Sequence, residues 1–433
     1  MSRPAAVAER HEALAARFEA FRRDPAFGTD AVSRAREQAF QRFLERGFPT
    51  SRDEEWKFTS VAPIAATAFV TARPASPGPD AIEPYRVPGA AGRVVLVNGR
   101  VSKALSSVGD LPAGVAVETG LGVPAGPRQT PSGAFVDLHE AFAVDALTIR
   151  VAPKTVLTEP IEVLSLSDVD GAPALLAPRI EVRVGEGAEV SIVETHAGRH
   201  DTASLTTAVI RLDLASSAVV HHVKIQAEPA TAFHLATLVA WLGRASTLTS
   251  HALTYGGRIS RNDIMVVLEG EGAECTLDGL YVADADALVD THTTIDHATP
   301  HCPSHERYKG ILAGRAKAVF NGKIIVRPDA QKTDAKQTNR ALLLSDTAQV
   351  NTKPQLEIFA DDVKCTHGAA IGQLDDDAMF YLQTRGLPAA DARNLLIHAF
   401  AAEVLDGIKA AAVRDRAMAL LEAKLSLAHT EQG

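Results

Sequence analysis

The sequence predicts a mainly β protein: a stacked column of strands, or β-solenoid, with α-helical segments at both ends. Three observations predict it. Period-two alternation recurs from Arg93 to about Ala370, as in Ile180-Glu181-Val182-Arg183-Val184 and Thr207-Ala208-Val209-Ile210-Arg211-Leu212. Small-residue turns centred on an alanine punctuate this stretch at Ala188, Ala218, Ala245, Ala273, Ala287, Ala316 and Ala348, about 30 residues apart with one interval near half that. Aromatic residues make up only 5% of the chain, so a core must come from Val, Leu, Ile and Ala, which suits thin layers. A strand–turn–strand unit cannot bury a face alone but can do so by stacking. A meandering β-sandwich is the plainer alternative on the same pattern.

The elements follow in order. Residues 1–73 read as an N-terminal helical domain. Val7, His11, Leu14, Phe18 and Phe21 share one stripe; after Asp30, a plausible N-cap, Val32, Ala35, Phe40, Phe43 and Leu44 share another. Gly47 and Pro49 stop the helix. The Pro-, Ala- and Gly-rich stretch 74–92 is the best linker candidate, and helical signals are nearly absent across the β core at 93–370. In the C-terminal helical domain, 371–433, Asp375-Asp376-Asp377 offers N-cap chemistry and Gly386-Leu387-Pro388 a stop. Asp391 is the expected cap of the next helix, whose face holds Ala392, Leu395, Leu396, Ala399, Phe400, Val404 and Leu405. A last helix runs from Val413 to about Leu427.

Composition excludes several classes. The 433 residues are too many for one ordinary core, leaving two or three domains or one elongated domain. A net charge of −9 argues against nucleic acid, which needs a basic face. Three distant cysteines, Cys275, Cys302 and Cys365, make a poor disulfide framework and suit a reducing compartment. With no signal-peptide pattern and no apolar run of bilayer length, the expectation is a cytoplasmic protein without a membrane span.

Familiar catalytic patterns are missing. Gly322-Lys323 lacks the Ser or Thr of a P-loop, and Gly185-Glu186-Gly187 and Gly270-Glu271-Gly272 read as turns. There is no Gly-x-Ser-x-Gly, His-Glu-x-x-His or Cys-x-x-Cys. The chain does not read as an enzyme that works alone. His292, His297, His301, Cys302 and His305 cluster in sequence but match no regular ligand spacing, so they read as loop residues. His221 and His222 fall on opposite faces of a strand, and Cys275 reads as a buried, inert thiol. Cys365-Thr366-His367 differs: in an extended strand its thiol and imidazole share one face and form half of a metal or iron–sulfur site. Spacing alone equally allows a small core thiol and a core histidine.

The text around that tripeptide is distinctive. Tyr308-Lys309-Gly310, Val319-Phe320-Asn321-Gly322, Ala330-Gln331-Lys332-Thr333-Asp334-Ala335, Lys353-Pro354-Gln355-Leu356-Glu357-Ile358, Ala360-Asp361-Asp362-Val363-Lys364-Cys365, His367-Gly368-Ala369, Phe380-Tyr381-Leu382 and Arg385-Gly386 follow one another in order. Upstream stands Glu54-Glu55-Trp56-Lys57-Phe58. In these blocks the chain resembles the SufB/SufD family, scaffold subunits of the Suf iron–sulfur cluster assembly machinery. The likeness covers most of the chain and is weak between Pro74 and Pro173. Few, unclustered cysteines and the Glu-Glu-Trp-Lys signature resemble the SufD branch rather than SufB.

The resemblance implies a right-handed parallel β-helix flanked by helices and a non-catalytic role in an ATPase-coupled complex. It implies pairing with SufB through the β-helix and docking of the SufC ATPase on the C-terminal helices, where Phe380, Tyr381 and Arg385 are the partner-binding candidates. It also implies a transient iron–sulfur cluster or iron at the subunit interface, with His367 and Cys365 as the metal candidates, and allows a homodimer when the chain is alone. A flavin is associated with intact complexes of the family, but no pattern here would bind one. Two other classes remain as expectations to test: a carbohydrate-active β-helix enzyme, and a structural partner of SufB with no ligand of its own.

Overall fold

A computed structural model gives the fold and describes residues 14–28, 30–109, 111–121, 128 and 131–430. Val7 and His11 of the first predicted stripe lie outside the described residues. From Arg179 to Gly372 the chain lays strands alternately into two sheets, which with the strands before them number 11 and 10. Ser204–Leu214 pairs with Phe233–Leu242 in the first sheet, while Val219–Ala227, between them in sequence, pairs with Thr247–Thr254 in the second. These pairings are parallel, and the result is a β-solenoid of about 8 turns. Antiparallel pairs occur near its start, where Gly92–Val97 meets Arg100–Val101 and Val115–Thr119 meets Leu147–Val151.

The corners explain the alanine repeat. By strand register, Ala188, Ala218, Ser246, Ala273, Cys302 and Thr333 stack in one buried column. The residue before each has positive φ: Gly187, Ser217, Ala245, Gly272, His301 and Lys332. The backbone turns in the left-handed region and a small side chain then drops into the corner. Ala287, Ala316 and Ala348 stack at a second corner, in the other sheet. The half-length interval in the sequence is the jump between the two columns. At one turn the repeat was off by a residue, because Ser246 fills the column while Ala245 makes the turn.

Seven helices among the described residues surround the solenoid: α1 (14–22), α2 (Asp30–Arg46), α3 (Ala62–Ala66), α4 (Ala134–Phe142), α5 (Asp376–Thr384), α6 (Ala389–Leu405) and α7 (Ala411–Thr430). Phe18, Phe21, Phe40, Phe43 and Phe142 join α1, α2 and α4 into an aromatic cluster. That cluster seats on Leu205, Phe233 and Ile259, on the outer face of the 11-stranded sheet. α6 and α7 cover the outer face of the other sheet, packing Ile397, Val404 and Leu421 against Val223, Ile225, Leu253 and Leu280.

Two expectations are corrected. The β region is not free of helix: α4 interrupts it, seven of its nine residues are buried, and Phe135, Leu138, Ala141 and Phe142 form a short apolar stripe in its sequence. Asp391 does not cap α6; the N-cap is Pro388, and Asp391 sits in the first turn. Asp375 caps α5 as expected, accepting from the backbone N–H groups of Asp377 and Ala378. The stretch 74–92 forms two short 3-10 turns that lay Ile82 and Val87 into the body. No helix among the described residues is long and apolar enough to cross a membrane.

Candidate functional site

The last strand, Lys364–Gly372, is the final rung of the 10-stranded sheet. Register assigns each of its residues an interior or exterior position. Cys365 stacks on Ala335, Ser304, Cys275 and Leu248, all fully buried. His367 stacks on Gln337, Glu306, Leu277, Ser250 and His222, again all buried. The thiol and the imidazole therefore occupy core positions of a rung with no rung beyond it. Cys365 is half-buried beside Ala335 and Val363, and burial pushes its thiol up. His367 is exposed.

The end of the solenoid is open. Gln349–Ile358 and Lys364–Gly372 are the edge strands of the two sheets, each paired on one side only. Ile358, Phe359 and Ile371 are exposed there, and Phe359 is 63% exposed. An unpaired strand edge with apolar side chains is a template for another chain. Beside it, α5 presents Phe380 and Tyr381, 69% and 56% exposed. The Arg385 guanidinium lies over the Tyr381 ring at 5.2 Å and donates to its hydroxyl at 3.2 Å, which splays an aromatic–cationic patch into solvent.

The histidine-rich stretch does not converge. His297 faces inward and bonds the Ser304 hydroxyl at 2.9 Å. His301 makes the corner turn, Cys302 fills the corner column, and His305 is exposed. His292 points out of the other sheet. Its Nδ1 lies 3.1 Å from Glu55 and its Nε2 3.0 Å from Asp290. Burial opposes its charge, but the two carboxylates outweigh burial and push its pKa up to about 9. Among the described residues no three His, Cys, Asp or Glu side chains are grouped to hold a metal ion. Cys365 and His367 thus supply at most two ligands.

Sequence reasoning missed what the N-terminal signature does and what lies inside the solenoid. Glu54 pairs with Lys353 at 2.6 Å, Trp56 lies 3.8 Å from the Arg261 guanidinium, and Thr59 donates to buried Asp290 at 2.6 Å. The signature is a latch that joins the helical domain to the rungs. Inside, Glu194 bonds both His196 and His222, Lys224 donates to Asn262 at 2.7 Å, and Gln226 donates to Glu228 at 3.0 Å. Burial alone would raise the Glu194 carboxyl, but His196, His222 and Lys224 hold it well below its usual range. The available signal was polar residues at every second position of strands whose neighbours are apolar, as in Ile192-Val193-Glu194-Thr195-His196.

The family model described as "SUF system FeS cluster assembly, SufBD core domain" matches residues 167–400, from the early rungs into α6. An iron–sulfur cluster assembly SufBD family protein of Synechocystis is 34% identical over 387 residues, 85% of each chain. The iron–sulfur cluster assembly protein SufD of Escherichia coli is 31% identical, over 90% of this chain and 92% of that protein. The chloroplastic protein ABCI7 of Arabidopsis thaliana is 29% identical over 89% of this chain and 84% of its own length.

Proposed function

We propose that this chain, which belongs to the SufBD family of iron–sulfur cluster assembly proteins, is the SufD-type scaffold subunit of a complex with SufB and the SufC ATPase. The observation that carries the site is the open last rung, where two of the interior positions are a thiol and an imidazole with nothing stacked on them. A sister chain docking there extends both sheets edge to edge and covers Ile358, Phe359 and Ile371. His367 offers one ring nitrogen to iron, and a SufB thiolate carrying sulfur supplies the opposite side. Cys365 serves as a secondary thiol, since its burial disfavours the thiolate that ligation needs. A cluster split across a seam is cargo: it forms when the seam closes and leaves when it opens.

The SufC ATPase docks on the C-terminal helices, with Phe380, Tyr381 and Arg385 as the contact. ATP-driven closure of two ATPase subunits pulls α5 and α6, which follow the last rung directly, and so rearranges the seam. This chain contributes no bond-making step of its own in that scheme.

The test is His367→Ala in the three-subunit complex purified anaerobically. The complex stays intact by gel filtration, and the visible absorption of a reconstituted cluster is lost. Wild-type cluster content on the variant complex overturns the assignment.

A further inference from the structure

Resting on that reading of His367, we propose that Gln337 is the positioning residue that fixes the His367 imidazole, and that Glu306 fixes Gln337 in turn. The three stack in one interior column on consecutive rungs, Glu306 on Gln337 on His367. Neighbouring rungs lie about 4.8 Å apart, within reach of a side-chain hydrogen bond. Gln337 Nε2 donates to Glu306 Oε2 at 2.7 Å, fully buried. Ionised Glu306, the form present above about pH 7, accepts only, so in that form the bond commits the NH2 end of the amide to the inner rung and leaves the carbonyl oxygen as the free end. That oxygen, Gln337 Oε1, is buried and has no hydrogen-bond partner.

An orphaned buried acceptor is costly, and native proteins rarely keep one without a use. The unfilled partner here is the donor one rung out. A metal-ligating histidine usually donates its second ring N–H to a carbonyl or carboxylate, which sets the tautomer and aims the free nitrogen. Gln337 Oε1, which is not bonded to His367 in this structure, takes that N–H in the metal-binding state and leaves the other nitrogen of His367 for iron. The opposite sheet makes room for the amide: a Cβ at Gly322 would stand 2.1 Å from Gln337 Nε2. A side chain at 322 and a fixed Gln337 amide exclude each other. Further down the same column Ser250 and His222 bond each other at 2.9 Å and Leu277 has no acceptor to offer.

The full chain, labelled with 15N-histidine, gives a readout independent of cluster chemistry. The His367 signals, assigned by their loss in His367→Ala, report the ratio of the two neutral tautomers. One tautomer dominates in the wild type, and Gln337→Leu relaxes it toward the mixture of a free imidazole. The swap Glu306→Gln with Gln337→Glu restores an acceptor at 337 and restores the single tautomer. In the three-subunit complex, Gln337→Leu weakens anaerobic iron(II) binding about 10–100-fold, and the swap recovers it. Should Gln337→Leu not fold, Gly322→Ala displaces the amide and relaxes the tautomer instead.

The outcomes separate the two claims. If His367→Ala leaves iron(II) binding untouched, the metal role of His367 fails, while the tautomer ratio still decides the contact with Gln337. If His367→Ala abolishes binding but Gln337→Leu changes neither tautomer nor affinity, the positioning role is overturned and the metal role stands.

Discussion

Glu306 is a carboxyl group with little to stabilise its charge. It is fully buried with one oxygen unpartnered, and burial pushes its pKa from 4.5 up to about 7. Between those two values the folded chain holds a proton that the unfolded chain releases. Stability therefore falls as pH rises from about 4.5 to about 7, by about 3 kcal/mol in full. Glu306→Gln removes that dependence and keeps an acceptor for Gln337. The expected result is a variant nearly matched to wild type at pH 4.5 and more stable than it at pH 8, read as a widening gap between their unfolding midpoints. A constant gap means Glu306 ionises inside the solenoid without cost. Neither this role nor that of Gln337 is legible in the sequence, because Glu306-Arg307-Tyr308-Lys309 reads as an ordinary alternating polar strand. Which of its two faces is the interior depends on register with strands 30 residues away. Cys365 and His367 were legible because their own spacing puts them on one face whatever the register.

Among the elements, the segment from Glu54 to Thr59 carries the most weight per residue. It reaches Lys353, Arg261, His292, Asn321 and Asp290, so it ties the N-terminal helices to strands along the second half of the solenoid. Trp56 sits between the Arg261 guanidinium and the Phe135 ring. Trp56→Ala loses both contacts and is expected to cost ~2–4 kcal/mol of docking free energy. The check is limited proteolysis: α1 and α2 are released faster while the rungs from Ser204 to Leu343 stay protected. The His292 imidazolium adds a pH limit. Its folded pKa lies above its ordinary value of 6.5, so its contribution is complete below that value and is lost as pH rises through about 9. Equal protection of α1 and α2 in the variant would show that the aromatic cluster alone holds them. The sequence exposed the signature but not its target, since Arg261, Asp290 and His292 are more than 200 residues away. Corner columns were more legible: small residues at fixed intervals are a local signal, and even the half-length interval had a structural cause. α4 had a local signal too, the stripe of Phe135, Leu138, Ala141 and Phe142, but nine residues between strands make it a short one.

For the whole molecule, the decisive asymmetry is between covered faces and an uncovered end. Helices from the two termini cover the outer faces of the two sheets, and the final rungs are left with free edges. The stacked column was readable as a fold because its period repeats. Its open end was not, because nothing in a sequence states that a repeat stops without a cap. Two separate surfaces follow, one at the strand edges with Phe359 and Ile371 and one on α5 with Phe380 and Tyr381. They predict different losses. Ile371→Lys puts a charge on the apolar rim of the end, where an extra rung would have to stack, and is expected to abolish the proposed pairing with SufB. The same change should shift any self-associated form of the chain to monomer in sedimentation velocity. On the proposed docking of the ATPase at α5, it leaves that affinity at wild type, because α5 and its Arg385–Tyr381 patch are untouched. Phe380→Ala with Tyr381→Ala is expected to do the reverse, weakening the ATPase about 10-fold or more, as loss of exposed aromatic anchors does, while SufB still co-elutes. If either variant lost both partners together while its melting midpoint held, the end and the helical patch would be one continuous interface, and closure of the seam could not be driven from α5.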